Sequence, residues 1–398
     1  MIARTKYLKN LLRFKDKQLI KVVTGIRRCG KSTLFELYQE YLLQNGVDRT
    51  QIIAINLEDG EFFDIDDYRK LYDFVRQRLL PDRMNYIFLD EIQQIKDFQK
   101  VVDALYIKKN CDLYITGSNA YLLSGELATL LSGRYVEIKM MPLSFKEYLS
   151  AFDENRNTEQ LYQNYIHNSS FPYVLELPEQ KDIRQYLDGI YNSIIVKDII
   201  TRRRIRDVEM LKSVARFLFD NIGNMTSAKK IADTMTSAGR KISVHTVESY
   251  LDALTESFVF YRAGRFDIKG KQYLKTGDKF YAADIGLRYH VLGTKKADIG
   301  HILENIVYLE LLRRGYEVYV GKVGSAEVDF IAIGAEGQEY YQVAYTVIDA
   351  DGKTLERELT PLNAINDHNP KYLLTMDYGP MISHNGIRQL YVLDWLLK

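Results

Sequence analysis

The chain has 398 residues, is 46% hydrophobic and carries a formal net charge of +1 at pH 7. That length allows two or three domains with separate cores, and a charge near zero excludes a global field that would draw the protein to nucleic acid or to a membrane. Two distant cysteines, Cys29 and Cys111, do not make a disulfide framework or a metal site. The residues before Lys9 lack the apolar core of a signal peptide and no apolar run is long enough to span a bilayer, so we expect a cytoplasmic protein with no membrane partner.

The first predicted strand, Leu19 to Thr24, is followed by a segment that fits the phosphate-loop pattern G-x-x-x-x-G-K-[ST] and then by a helical run that begins at Thr33. Glycines in this pattern allow positive φ, so that successive N–H groups can point into one concavity at the start of the helix. We therefore predict a nucleoside triphosphate site. Its predicted nucleotide-binding residues are Gly25, Ile26, Arg27, Arg28, Cys29, Gly30, Lys31, Ser32 and Thr33.

Two side chains of this loop are predicted to contact the bound nucleotide and its metal ion. Lys31 would reach the β- and γ-phosphates as a point charge, and the Ser32 hydroxyl would bind Mg²⁺, which prefers one or two protein oxygens together with phosphate oxygens and water. ATP and Mg²⁺ are the expected cofactors.

The next informative segment, Tyr86 to Glu91, is a short apolar run that ends in two carboxylates. This pattern is typical of a buried parallel strand that places acids at its carboxyl end. Asp90 would hold Mg²⁺ through water or Ser32, and Glu91 would polarise the attacking water. The alternative is a pair of solvated acids at a helix start.

A further strand, Asp112 to Thr116, is followed by small polar side chains. Ser118, or else Asn119, is a candidate to orient water or contact the γ-phosphate, and either could instead cap the helix predicted near Ala120. Strands at 51–57 and 135–139 complete a doubly wound parallel α/β sheet, in which ligands bind beyond the carboxyl ends of the strands.

The segments GIRRCGKST, YIFLDEIQ, LYITGSNA and SGRYVEIKMMPLSFKEYL occur in that order. With them the chain, from about Leu19 to about Tyr341, resembles the bacterial and archaeal AAA-type ATPases that carry a C-terminal domain of unknown function. This resemblance implies ATP rather than GTP. It also implies a catalytic role for Arg134 near a γ-phosphate, in its own site or as a finger into a neighbour of a homo-oligomer. A salt bridge at the strand edge is the alternative role for Arg134.

After Pro142 the predicted helices of residues 143–206 suit a lid or connector. They end in the segment Thr201 to Arg206, which holds four arginines and could contact phosphates or remain a solvated helix face.

Residues 207–265 predict three amphipathic helices and a β-like run, a pattern typical of a winged helix-turn-helix. The third helix would present polar side chains to DNA, although Glu248 opposes phosphate binding and many winged helices only pack against protein. The side chains expected on that face are Ser243, His245, Thr246, Ser249 and Tyr250.

The last predicted domain covers residues 266–398. Its segment from Lys279 to Gly286 resembles the corresponding part of the family's C-terminal domain, which looks like a restriction-endonuclease fold. Such a fold implies a candidate second metal site at Glu304 and Asp329, and the alternative is that these acids only cap and pair within the fold. The nuclease lysine position is Ala344, which cannot supply a charge. The resemblance therefore favours a degenerate domain, structural or nucleic-acid-binding, over an active nuclease.

The sequence thus predicts an Mg²⁺-dependent ATPase with an AAA-type P-loop core at 1–142, a helical lid at 143–206, a winged-helix module at 207–265 and a nuclease-like α/β domain at 266–398. DNA is a candidate partner through residues 201–265 and the last domain. The alternative function is a slow-turnover, nucleotide-gated binding protein for nucleic acid or a protein partner.

Overall fold

A computed structural model describes residues 2–118, 133–153, 156–270, 272–293 and 298–398. The chain divides into two compact units. The first comprises Met1–Pro142 with Glu256–Phe258, and the second comprises Leu143–Thr255 with Val259–Lys398.

The first unit alternates strands with helices. Its helices are α1 (Thr5–Arg13), α2 (Lys31–Gln44), α3 (Tyr68–Arg76) and α4 (Gln99–Tyr106). Its strands are β1 (Ile20–Thr24), β2 (Ile52–Asn56), β3 (Asn85–Asp90), β4 (Cys111–Gly117) and β5 (Tyr135–Lys139).

These five strands form one parallel sheet in the order β2-β3-β4-β1-β5. Thr24, at the end of β1, lies opposite Gly117 on one side and Lys139 on the other, and Asp90 lies opposite Asn56. All five strands therefore end at the same edge. The predicted parallel α/β core is confirmed.

The central strands form because their apolar runs can be buried on both faces. Every residue of β1, β3 and β4 is buried. One face packs aliphatic side chains such as Val22, Ile87 and Ile115, whereas the other carries aromatic side chains, with Phe88 and Tyr114 stacked at 4.7 Å between ring centroids. A sheet packed in this way holds the loops at its carboxyl edge in fixed positions.

The second unit begins with helices. They are α5 (Phe145–Leu149), α6 (Thr158–Asn168), α7 (Gln180–Ser193), α8 (Val208–Asp220), α9 (Ala228–Ser237) and α10 (Val244–Glu256), and α7 continues into a π-helical segment, Ile194–Thr201. The later helices are α11 (Ile285–Leu292), α12 (Ile299–Arg313), α13 (Lys353–Asn363) and α14 (Val392–Leu397).

An eight-stranded mixed sheet follows these first helices in the chain. Its strands are β6 (Phe260–Asp267), β7 (Gln272–Ala282), β8 (Glu317–Val323), β9 (Ala326–Gly334), β10 (Gly337–Ala344), β11 (Lys371–Thr375), β12 (Ile382–His384) and β13 (Ile387–Tyr391). The order is β12-β13-β11-β10-β9-β8-β6-β7. Strand β9 is antiparallel to both of its neighbours, β8 and β10, and β11 is parallel to β10.

The helices of residues 208–256 lie where the apolar periodicity predicts them. The domain boundary predicted after Arg265, however, falls inside β6, which pairs with β7 from Phe260 to Asp267 and with β8 at its end. Tyr250 also differs from expectation, because it is buried and its hydroxyl contacts the Asp207 carbonyl oxygen at 3.5 Å. It therefore packs in the helical core and is not presented on the surface of α10.

Within the part of the chain that the structure describes, no helix is both long enough and apolar enough to cross a bilayer.

Candidate functional site

The phosphate loop leaves β1 and enters α2 through backbone conformations that favour glycine. Gly25 has φ of +152° and Gly30 has φ of +98°. A Cβ at Gly25 would lie 2.0 Å from the carbonyl oxygen of Met140, so no other residue fits there without moving the chain. Because α2 begins at Lys31, the loop also lies at a helix N-terminus, where N–H groups and the helix dipole favour an anion.

Lys31 is the buried cation of this loop, with 4% of its surface exposed. Its Nζ donates to the carbonyl oxygen of Gly25 at 3.2 Å and lies 3.7 Å from Oε1 of Glu91. The lysine and the second of the two strand-end carboxylates are therefore held together across the loop.

Asp90 ends β3 beside Thr116 on β4 and Ser32 on α2. Its carboxylate accepts hydrogen bonds from the hydroxyls of Thr116 and Ser32. Burial raises the pKa of the Asp90 carboxyl above its usual value, although these two hydrogen bonds act in the opposite direction. One carboxylate and one adjacent hydroxyl, both at the mouth of a phosphate-binding loop, are a suitable donor set for Mg²⁺.

Glu91 has a left-handed backbone conformation, with φ of +52° and ψ of +46°. Its N–H donates to the Thr116 hydroxyl at 2.9 Å, and its carboxylate accepts a hydrogen bond from the Gln93 amide. A left-handed non-glycine residue costs roughly 1 kcal/mol or more, and such residues concentrate at functional sites. The conformation turns the Glu91 side chain towards Lys31.

Ser118 follows the end of β4 at the same edge of the sheet as the phosphate loop. Only 1% of it is exposed, and its hydroxyl has no hydrogen-bond partner among the described residues. A buried hydroxyl without a partner is a candidate ligand contact. The alternative candidate Asn119, and the helix predicted near Ala120, lie outside the described residues.

The remaining side chains of the loop differ in what they can contact. Ile26 and Cys29 are completely buried, so they can offer a nucleotide only their backbone. Arg27 forms an ion pair with Glu58 at 3.3 Å, whereas Arg28 is exposed. Burial raises the pKa of the Cys29 thiol, which keeps it protonated.

Arg134 is not brought to this site. It precedes β5, whose first residue lies opposite Ile20 at the start of β1, so Arg134 lies at the edge opposite the phosphate loop. Its guanidinium lies 4.0 Å from Asp103 and 5.4 Å from the ring centroid of Tyr106. Five residues of parallel strand, roughly 16 Å, separate it from the loop of its own chain.

Thr116 is a site residue that sequence reasoning missed. One hydroxyl both donates to Asp90 and accepts from the Glu91 N–H, so it fixes the two acids relative to each other. In the sequence, the feature that could have indicated Thr116 is its single hydroxyl near the end of an otherwise apolar strand, two residues before Ser118.

Arg4 is a second residue that the sequence did not indicate. Its guanidinium donates to the carbonyl oxygens of Cys29 at 3.0 Å and Met141 at 2.6 Å. It thereby ties the phosphate loop to the chain that follows β5. No local pattern marks it, because its partners lie 25 and 137 residues away.

The other predicted acids, Glu304 on α12 and Asp329 on β9, belong to the second unit. They surround Lys279 of β7, whose ammonium lies 2.9 Å from Glu304 and 2.8 Å from Glu327. Lys279 is a residue that motif reasoning did not place here. Ala344, at the expected lysine position, is buried. Among the described residues, no group of three or more His, Cys, Asp or Glu side chains could hold a metal ion, and the Glu304 carboxylate is paired with the ammonium of Lys279.

Two family models match the chain. An AAA domain model matches residues 17–149, and a model described as a domain of unknown function, DUF8612, matches residues 159–298.

Relatives that align with most of the chain include two that are at least 30% identical to it. An uncharacterized protein of Haemophilus influenzae is 44% identical, over 100% of this chain and 99% of the relative. The uncharacterized protein MJ1544 of Methanocaldococcus jannaschii is 30% identical, over 85% of this chain and 77% of the relative.

Among solved structures, a Walker-type ATPase of Pyrococcus abyssi is similar in fold, with a TM-score of 0.50. The match covers 73% of this chain and 96% of that one at 13% identity, so it concerns the fold alone.

Proposed function

Because the chain belongs to a family of AAA-domain proteins that includes these Haemophilus and Methanocaldococcus relatives, we propose that it is an Mg²⁺-dependent ATPase. The observation that carries the proposal is the convergence of Lys31, Asp90 and Glu91 at the mouth of the phosphate loop. The preference for ATP over GTP rests on the similarity to AAA-domain proteins.

Each residue at the loop has a distinct part in this proposal. Gly25 and Gly30 let the backbone N–H groups approach the phosphates, and Lys31 binds the β- and γ-phosphate oxygens. Ser32 and Asp90 would hold Mg²⁺, which when bound neutralises the charge that develops on the phosphates. Thr116 keeps the Asp90 carboxylate in place.

Glu91 is the proposed base that polarises the attacking water. Its 3.7 Å contact with Lys31 means that both side chains must exchange partners when a triphosphate binds. Negative phosphate oxygens compete for the lysine, and this competition frees the carboxylate to face water. Ser118 is proposed to contact the γ-phosphate or that water, because its buried hydroxyl lies at the same edge.

The test is a steady-state hydrolysis assay on the wild type, Lys31→Ala and Glu91→Gln, together with binding of a fluorescent ATP analogue. We expect Lys31→Ala to lose binding and hydrolysis. Glu91→Gln should bind normally and turn over 10²–10⁴-fold more slowly, a range of about the size usual for removal of a general base. Lys100→Ala, which removes an exposed lysine paired with Asp97, is the control. Equal hydrolysis by all four proteins would refute the proposal.

A slow-turnover, nucleotide-gated binding protein is the second candidate. The contacts of Glu91 with Lys31 and Gln93 favour it, since both hold the proposed base away from water. Tight nucleotide binding with hydrolysis near background in the wild type would select this function.

For the second unit we propose DNA as the partner, a winged-helix identity for α8–α10 and a restriction-endonuclease-like identity for the sheet that follows. The order α12, β8, β9, β10, α13, β11 supports the last assignment, since it places Glu304 on the helix and Asp329 on the second strand.

Exposed basic side chains support DNA binding, and they include Arg204, Arg206, Lys229, Lys230 and Lys241. DNA affinity should then fall steeply as salt rises; salt-independent binding or none would contradict it.

A further inference from the structure

The side chain of Lys279 lies among three carboxylates of the second unit. Its ammonium contacts Oε1 of Glu304 at 2.9 Å and Oε1 of Glu327 at 2.8 Å, and only 4% of the residue is exposed. Asp329, two residues after Glu327 on β9, faces the same ammonium. One positive charge of the chain itself is therefore shared by three acids.

The carboxylate oxygens of this cluster are also occupied by other donors. The hydroxyl of Tyr281 donates to Oε1 of Glu304 at 2.7 Å, and the N–H of Val343 donates to Oδ2 of Asp329 at 2.8 Å. His301 Nδ1 lies 3.4 Å from Oε2 of Glu304. A divalent ion bound to Glu304 would have to displace the ammonium and share oxygens that already accept hydrogen bonds.

The backbone of a neighbouring segment closes the approach to Glu304. Gly223 has φ of +71°, and a Cβ there would lie 2.9 Å from His301 Nδ1 and 3.1 Å from Oε2 of Glu304. The same glycine donates its N–H to the carbonyl of Phe280, next to Lys279. The segment that follows α8 is thus fixed against this carboxylate and leaves little room for a hydrated metal ion.

We propose that Lys279 is the permanent cation of the Glu304, Glu327 and Asp329 cluster, and that this cluster binds no divalent metal ion. The lysine missing at position 344 has a counterpart on β7, but that counterpart neutralises the acids and takes the place of a metal. The inference concerns the second unit and does not depend on ATP hydrolysis. Its consequence is that any DNA bound by this unit is held without metal-dependent cleavage.

The first test counts Mn²⁺ ions bound to the full-length, nucleotide-free protein by electron paramagnetic resonance. Wild type and Asp329→Asn should bind the same number, because Asp329 is not a metal ligand. One Mn²⁺ more in the wild type than in Asp329→Asn would overturn the inference. Metal-dependent nicking of plasmid DNA that disappears in Asp329→Asn would overturn it as well.

The second test removes the lysine. Lys279→Met keeps most of the side-chain volume but leaves buried carboxylates without their counterion, so the unfolding temperature of the second unit should fall by roughly 5–15 °C. Lys353→Met, which removes an exposed lysine paired with Asp351 in the same unit, is the control and should change the unfolding temperature little.

Adding Glu304→Gln to Lys279→Met should recover part of the lost unfolding temperature, because it removes one of the buried negative charges that have no counterion. The double variant also keeps the test informative if Lys279→Met does not fold. No loss in Lys279→Met, or no recovery in the double variant, would contradict the role of the lysine as the cation of the cluster.

Discussion

The ammonium of Lys31 lies 3.7 Å from the carboxylate of Glu91, so the phosphate-binding lysine and the proposed base form one ion pair. In the proposed reaction these side chains act on different groups, the lysine on phosphate oxygens and the glutamate on water. The proposed roles therefore predict that the pair separates when the nucleotide binds.

Thr116 is predicted to couple the two acids. Thr116→Val keeps the shape of the side chain but removes a donor to Asp90 and an acceptor for the Glu91 N–H, both of which are buried. We expect a loss of about 1–3 kcal/mol in the free energy of unfolding, together with slower hydrolysis. Denaturant titration and a steady-state assay measure the two effects.

Thr116→Ser retains the hydroxyl and is the matched control. It should restore most of the hydrolysis rate. A valine variant as active as the serine variant would show that this hydroxyl does not organise the acids.

Gly25→Ala tests the close approach between the phosphate loop and β5. The added methyl group would meet the Met140 carbonyl oxygen at 2.0 Å, so the loop must move and nucleotide binding should be lost. Gly46→Ala is the control, because Gly46 also has a positive φ, +86°, but has nothing within 4 Å of the added atom.

The free energy of unfolding of the control variant should fall by roughly 1 kcal/mol, which is the cost of a left-handed alanine. The control should bind nucleotide as the wild type does. Isothermal titration calorimetry with an ATP analogue compares the nucleotide affinities of the two variants and the wild type. Normal binding by Gly25→Ala would show that the loop can adopt another path.

Asp90 predicts a pH dependence of stability. Burial raises the pKa of its carboxyl above the usual 3.8, so the folded protein binds this proton more tightly than the unfolded chain does. Stability therefore falls as pH rises from about 3.8 through the raised pKa. The Asp90→Asn variant has a neutral side chain at every pH, so it lacks this contribution to the pH dependence.

The asparagine variant should accordingly unfold at a higher temperature than the nucleotide-free wild type at pH 7–8, and this difference should shrink as pH falls towards 4. It should also hydrolyse ATP poorly, since Asp90 is the proposed Mg²⁺ ligand. Thermal unfolding across this pH range measures the difference. A difference that grows at low pH would contradict the raised pKa.

Arg134 should contribute little to hydrolysis, because it lies at the far edge of the sheet beside Asp103. Because its side chain lies far from the phosphate loop of its own chain, Arg134→Ala should change turnover less than about fivefold, which corresponds to about 1 kcal/mol in the activation free energy. Arg76→Ala, which breaks the exposed pair with Asp73, is the control. Turnover that rises with protein concentration in the wild type but not in Arg134→Ala would instead identify a finger between subunits.

Much of the first unit follows from local sequence. The buried strands are continuous apolar runs, and the strand predicted over 135–139 coincides with β5. The glycine pattern predicts the loop because its φ values are a local property.

The parts that could not be predicted depend on distant pairing. The β-like run after the three helices reads as part of a module that ends at Arg265, but pairing with β7 and β8 extends β6 to Asp267. Lys279 precedes Glu304 by 25 residues and lies outside the expected motif. The packing of α12 against β7 brings the two side chains together.

Strand β6 has a practical consequence for dividing the protein into fragments. A fragment that ended at Arg265 would carry most of β6 without β7, and one that began at Phe266 would leave most of β7 without its partner residues in β6. Exposed strand edges of this kind pair with other chains and promote aggregation. Insolubility of such fragments would say nothing about their activity, so the helical segment and the sheet should be produced together, as residues 143–398.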